Sequence, residues 1–209
     1  SGTASGKTEA AFLPVLTQLW ENPSASVGVL YLSPLKALIN DQFERLEGLL
    51  EEAAIPVTKW HGDASAAAKK RVMKRPQGVI QTTPESLESM LMHNSSGAYR
   101  LFSDLRFIII DEMHYFMDND RGLQLLCLLE RLARLIGYHP RRIGLSATLG
   151  DCTSAVQWLN TDSGRDCIVP KCHEKGRSLR LSVRFFPIKE KIPNSDSKVL
   201  LQNYYDYLF

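Results

Sequence analysis

Short apolar runs alternate along this chain with longer stretches in which leucines and other apolar residues return every three or four positions. The first periodic stretch follows the opening residues and runs through Trp20. It carries Ala11, Leu13, Leu16, Leu19 and Trp20, and Pro14 should kink it or trim its first turns. Val27 to Ser33, VGVLYLS, reads as a buried strand. A long helix is expected from about Leu35 to Ala54, with Leu38, Phe43, Leu46, Leu49 and Leu50 on its apolar side. Val57 to Trp60 reads as a short strand, followed by a basic helix through Lys69 to Lys74 and the strand GVIQT, Gly78 to Thr82. Thr83-Pro84-Glu85 opens another helix, because proline suits a first helical turn.

Leu105 to Ile110, LRFIII, is apolar enough for a strand covered on both faces of a parallel sheet. Gly122 to Ile136 holds Leu123, Leu125, Leu126, Leu128, Leu129, Leu132 and Leu135, which predicts a helix buried on more than one side. Arg141 to Ser146 then reads as another inner strand, and Cys152 to about Leu159 as a helix. Beyond this the pattern changes: 160–176 is polar and punctuated, Leu179 to Ile188 alternates like a strand, and a helix-like stretch starts at Ser197. The alternation specifies an α/β fold, a mostly parallel sheet with helices on both faces.

Composition narrows the class. With 209 residues, 44% of them hydrophobic, and no apolar stretch of membrane length, the chain can bury one sizeable core plus an appendage, and no membrane partner is expected. A formal charge of +2 means that any nucleic-acid grip must come from placed groups. Lys69, Lys70, Arg71, Lys74 and Arg75 read as a solvated helix face. Cys127, Cys152, Cys167 and Cys172 read as free thiols of a cytoplasmic protein. A zinc site from Cys167, Cys172 and His173 has the wrong spacing and lacks an identified fourth ligand.

The chemistry sits in two places. Ser1 to Thr8, SGTASGKT, approximates the loop G-x-x-x-x-G-K-[ST], with Ser1 where the first glycine is usual and Gly2 easing the turn. Such a turn aims backbone N–H groups and the positive end of the next helix at one point. Lys7 would add a charge for terminal phosphates, and the Thr8 hydroxyl a ligand for a magnesium ion. Asp111 and Glu112 follow the carboxyl end of the 105–110 strand, where ligands of open parallel sheets bind. Asp111 would hold hydrated magnesium and Glu112 would orient or deprotonate the attacking water. The plainer alternatives are a glycine- and serine-rich tail and a strand ending in surface acids.

The ordered set SGTASGKT, SPLKAL (Ser33 to Leu38), HGD (His61 to Asp63), TTPESL (Thr82 to Leu87), DEMH (Asp111 to His114) and SAT (Ser146 to Thr148) resembles the first RecA-like domain of a superfamily-two DEAD/DEAH-box ATP-dependent helicase. WHGDAS, RGLQLLCLLERL and RIGLSATLGD are similar to its large helicase-related, Lhr-like branch. The resemblance implies a RecA-like P-loop NTPase domain over 1–160, lacking its N-terminal strand, and a segment 161–209 leading towards an absent second RecA-like domain. It implies ATP and Mg2+, with ATP bound by Ser5, Gly6, Lys7 and Thr8. Lys7, Asp111 and Glu112 become catalytic, and Thr8 and Asp111 face the metal. His114, Ser146 and Thr148 couple hydrolysis to movement, while Pro34, Lys36, Thr83 and Pro84 touch the backbone of a single strand, with DNA favoured over RNA and an association with DNA repair by analogy. Lys36 as a solvated residue, Thr83 as a helix cap and His114 as a core histidine are the simpler alternatives.

The strand and the aromatic or glutamine motif that usually precede the loop are absent from this sequence, so Ser1 to Ser5 are expected to fray. An arginine finger from a second domain is also absent, so the chain by itself is expected to be weakly active or inactive. Two functions of different class result: the ATP-binding core of a helicase, or a non-catalytic nucleotide or nucleic-acid binding module. A small-molecule phosphotransferase would share the loop and leave SAT, TTPES and SPLKAL without a role.

Overall fold

A computed structural model describes residues 6–51, 53–146, 152–161 and 163–170. Ser1 to Ser5, Thr148, Cys172, His173 and the segment expected to hold a strand at 179–188 and a helix from 197 lie outside the described residues. The elements in chain order are α1 (Lys7–Glu21), β1 (Val29–Leu32), α2 (Lys36–Glu51), β2 (Val57–Trp60), α3 (Ala66–Lys74), β3 (Val79–Thr82), α4 (Pro84–His93), α5 (Ser95–Phe102), β4 (Phe107–Ile110), a 3-10 turn at Met113–Tyr115, α6 (Asp120–Ile136), β5 (Arg141–Gly144) and α7 (Cys152–Asn160).

The strands form one parallel sheet in the order β2-β3-β1-β4-β5. Strands β1, β3 and β4 are buried along their whole length, which is why they read as uninterrupted apolar runs. The two faces carry different layers. Val29, Tyr31, Val79, Phe107 and Ile109 pack with Phe12, Val15 and Leu19 of α1 and Leu46 and Leu50 of α2. Leu30, Leu32, Ile80, Ile108 and Ile110 face the other way, towards Leu87, Leu101, Leu125 and Leu129 of α4, α5 and α6. The expected α/β architecture with helices on both faces is therefore the one observed.

Several local expectations change. Helix α1 runs through Pro14, which lies on the exposed side, so the carbonyl deprived of its N–H partner belongs to exposed Ala10. Its core face is Ala11, Phe12, Val15 and Leu19, while Leu13 and Trp20 point to solvent. The region after Thr83 is two helices, because Asn94 ends α4 and caps α5 by accepting from Gly97 N at 3.1 Å. Helix α6 buries one stripe, Leu125, Leu128, Leu129, Leu132, Ala133 and Ile136, and leaves Leu123 exposed. Its spacing of three and four defines one face, and the surplus leucines flank it. Strand β5 is an edge strand among the described residues, and no position in it is fully buried.

Gly78 enters β3 in the left-handed region at φ 77°. Any Cβ there would stand 2.0 Å from the Pro56 carbonyl, the same oxygen that accepts from Val79 N at 2.9 Å. Relief would require parting β2 from β3. Gly78→Ala is expected to cost about 2–4 kcal/mol through strain and overpacking, measured as a lower urea midpoint with an unchanged slope.

Candidate active site and adjoining cleft

Strand order reverses between β1 and β4: from β1 the chain passes through α2 to the β2 edge, and from β4 through α6 to the β5 edge. A parallel sheet opens a crevice at the carboxyl ends of such a pair. Asp111 follows β4 at that point and is held from both sides. Tyr31, the third residue of β1, donates its hydroxyl to Asp111 Oδ2 at 2.5 Å, and the Glu112 amide donates to Oδ1 at 2.9 Å. Burial raises the Asp111 carboxyl above the ordinary carboxylate range, reinforced by the neighbouring Glu112 charge and opposed by the Tyr31 and Glu112 bonds and by Lys7.

Glu112 sits in the left-handed region at φ 45°, which turns the chain sharply into the 3-10 turn. Its Oε2 is buried, 3.3 Å from His114 Nδ1, and has no hydrogen-bond partner. That imidazole nitrogen is instead engaged with Ser146 Oγ at 3.0 Å. Ser146 is reached because β5 continues beside the turn: Leu145 N donates to the Ile110 carbonyl at 2.8 Å and Met113 N to the Leu145 carbonyl at 2.7 Å. From the other side Lys7 Nζ donates to the Ser146 carbonyl at 3.1 Å. Gly6 precedes α1 at φ 68° and accepts from Ala10 N, and Thr8 is buried in the first turn.

Lys7, Asp111, Glu112, His114 and Ser146 thus converge, although more than a hundred residues separate the first from the rest. Tyr31 was not expected there. Its signal in the sequence is one polar hydroxyl inside the otherwise aliphatic VLYL.

A second depression, a cleft of about 580 Å3, opens at the same sheet edge beyond β1, β3 and β2. Pro34, Lys36 and Thr83 line it. Thr83 also caps α4, accepting from Ser86 N at 3.4 Å, so the cap and the cleft position are the same fact. Pro84 is buried at the first turn of α4 and does not line the cleft. Lys36 Nζ pairs with Asp63 at 3.0 Å.

His61 lines the cleft while only 4% exposed, with both ring nitrogens lacking hydrogen-bond partners, and burial lowers its pKa. Lys69 departs from the solvated-face expectation. Its ammonium donates to the His61 carbonyl at 2.5 Å beside the Trp60 ring, whereas Lys70, Arg71, Lys74 and Arg75 are exposed. Arg121, from the first turn of α6, closes the far wall. The cleft contributors lie far apart in sequence, which hid them.

Cys127, Cys152 and Cys167 are free, and among the described residues no group of three or more His, Cys, Asp or Glu could hold a metal. Magnesium in phosphate sites is held by one or two protein groups plus phosphates and water, so such a cluster is not required. Among the described residues no helix is long and apolar enough to cross a membrane.

The sequence profile of DEAD/DEAH box helicases matches residues 1–155. The chain belongs to that family. It is the first RecA-like domain of a superfamily-two helicase of the Lhr-like branch. It is similar to the ATP-dependent helicase Lhr-Core of Methanocaldococcus jannaschii, 37% identical over 186 residues, or 81% of this chain and 21% of that protein. It is also similar to Lhr-Core of Methanothermobacter thermautotrophicus, 34% identical over 188 residues, or 81% and 22%. Among solved structures it resembles the Mycobacterium smegmatis helicase Lhr bound to ssDNA and AMP-PNP, with TM-score 0.65 and 33% identity over 78% of this chain and 22% of that one. The helicase MrfA bound to DNA gives TM-score 0.67 and 31% identity over 76% and 23%. The chain spans about a fifth of the length of the relatives it matches.

Because Asp111 binds its proton more tightly folded than unfolded, its ionisation weakens folding. Stability falls as pH rises from the unfolded carboxyl range through the raised folded value. Asp111→Asn, without metal or nucleotide, is expected to be the more stable chain at pH 7, and the gain should shrink towards pH 3. Urea unfolding at both pH values checks this, and a less stable variant at pH 7 would refute it.

Proposed function

We propose that this domain is the ATP-binding half of a helicase motor that couples ATP hydrolysis to movement along a single nucleic-acid strand, DNA in preference to RNA. The observation that carries the reading is the convergence of Lys7, Asp111, Glu112 and Ser146 at the carboxyl ends of the strands, where the buried Glu112 Oε2 accepts no hydrogen bond and has only the His114 ring at 3.3 Å. A buried carboxylate oxygen without a partner is costly unless a ligand or its water uses it.

Lys7 supplies a compact positive charge: its ammonium donates to the Ser146 carbonyl at 3.1 Å, and its further N–H donors suit terminal phosphate oxygens. Glu112 accepts a proton from the attacking water through Oε2. Tyr31 and the Glu112 amide fix the Asp111 carboxylate so that it need not reorganise. His114 lies between Glu112 and Ser146 and links the hydrolytic carboxylate to the segment after β5.

The donor set suits magnesium: buried Asp111 and the hydroxyl of buried Thr8 would hold it, and when bound it neutralises developing phosphate charge. Ser5 and Gly6 would complete the phosphate loop, and Thr148 the coupling triplet. Residues 161–209 would connect to a second RecA-like domain, which supplies an arginine finger and whose closure converts hydrolysis into movement. The strand would cross the cleft of Pro34, Lys36 and Thr83, which offers hydroxyls and a lysine for sequence-independent backbone contact, with Pro84 shaping the turn beneath. The relatives solved with DNA support this substrate.

In the intact protein, ssDNA should stimulate ATP hydrolysis. Glu112→Gln should lower kcat by about 100-fold or more while AMP-PNP still binds, and Lys7→Ala should weaken nucleotide binding itself. Steady-state ATPase assays and nucleotide titration check both. A wild type that binds nucleotide or strand without turnover would favour the binding-module reading.

A further inference from the structure

Arg121 ties together three segments. Its Nη2 donates to the Pro34 carbonyl at 2.6 Å and to Glu85 Oε1 at 2.7 Å, and its Nε donates to the same carboxylate oxygen at 3.0 Å. The guanidinium also lies over the Phe116 ring, 5.4 Å from its centroid. Pro34 belongs to the loop after β1, Glu85 to the first turn of α4, and Phe116 to the turn that continues from Asp111 and Glu112. Pro34 and Glu85 line the cleft.

The link back to the nucleotide site has no slack. Phe116 is fully buried, and a Cβ at Gly122 would stand 1.6 Å from the Phe116 carbonyl, so the start of α6 is pressed directly against the turn. Asn119 pins the intervening loop: its amide donates to the Tyr115 and Met117 carbonyls, and its oxygen accepts from Gly122 N at 3.0 Å. A shift of Glu112 to Phe116 must therefore carry Arg121 with it.

Magnitude argues against a purely stabilising role. The Arg121 and Glu85 side chains are 34% and 54% exposed, and an ion pair so exposed contributes only about 0–1 kcal/mol. A planar guanidinium holding a carboxylate, a backbone carbonyl and an aromatic face together instead fixes geometry, and lysine could not reproduce the fork.

We propose that Arg121 is a positioning residue that couples the nucleotide site to the strand cleft, by tying the segment after Asp111 and Glu112 to the loop after β1 and the start of α4. The proposal rests on the helicase reading above. It makes Arg121 a mechanical link separate from the His114–Ser146 contact.

The test measures coupling. In the intact protein, the affinity for a fluorescent oligo-dT strand is titrated with and without Mg2+ and AMP-PNP, and the ratio of the two constants is the coupling factor. Arg121→Gln should move that factor about 5- to 10-fold towards one. Arg121→Lys should behave the same way, and Glu85→Gln, which keeps the Pro34 contact, should lose less. Thermal melting of each variant controls for folding, and Glu85→Gln keeps the test decisive if Arg121→Gln does not fold. An unchanged coupling factor in both Arg121→Gln and Glu85→Gln, whatever the strand affinity, would overturn the proposal. So would full coupling in Arg121→Lys, since charge alone would then suffice. A wild type that binds no strand would bring down the helicase reading and this inference with it.

Discussion

Everything at the working edge depends on the reversal of strand order between β1 and β4. Two strands paired in register, Leu30 with Ile108 and Leu32 with Ile110, send their connections in opposite directions and onto opposite faces. No helix can cover the gap left at their carboxyl ends. Asp111 occupies that gap because it is the first residue after a strand buried on both faces, and Tyr31 reaches it because β1 is the adjacent strand. The buried carboxylate is thereby placed by topology, and burial there raises its pKa.

The same topology explains why the two sites share one edge. Ser33 to Lys36, His61 to Asp63 and Thr83 to Glu85 follow β1, β2 and β3, whereas Asp111 to His114 and Leu145 to Ser146 follow β4 and β5. Parallel strands put all five carboxyl ends on one side, so the cleft and the Asp111–Glu112 site become neighbours without any further design. What the sheet does not supply is communication between them. That falls to the segment which leaves Asp111, turns at Glu112, buries Phe116 and enters α6 at Arg121, since it begins at the two carboxylates and ends on the Pro34 and Glu85 sides of the cleft.

Much of this was legible in the sequence where a single physical cause dominates. VGVLYLS, GVIQT and LRFIII read as strands from their apolar runs, and Gly6-Lys7-Thr8 and Asp111-Glu112 stood out as the polar groups at the ends of such elements. Legibility failed where an outcome depends on neighbours distant in the chain. The surplus leucines of α6 suggested burial on several sides, yet only the partners supplied by α4 and α5 decide that one stripe is covered. Arg141 to Ser146 reads as an inner strand, but among the described residues sheet order leaves β5 at an edge, which its own side chains do not decide. Lys69 and Arg121 carry no local signature, and Tyr31 only a lone hydroxyl in an aliphatic strand, because each acquires its role from a carbonyl or carboxylate that another element delivers.

Lys69 and Arg121 also show why charge counting misleads in a chain so near neutrality. A cationic side chain in water gains little from being one of many, and a solvated face is the right default for a basic helix. What changes the outcome is a fixed acceptor at short range: the His61 carbonyl for Lys69, and the Pro34 carbonyl with Glu85 for Arg121. Each such bond orients a charge towards the cleft and removes the rotamer freedom that would otherwise oppose binding. The cleft therefore needs no excess of positive charge over the whole molecule. It needs a few cations held in place by backbone that the parallel sheet has already positioned.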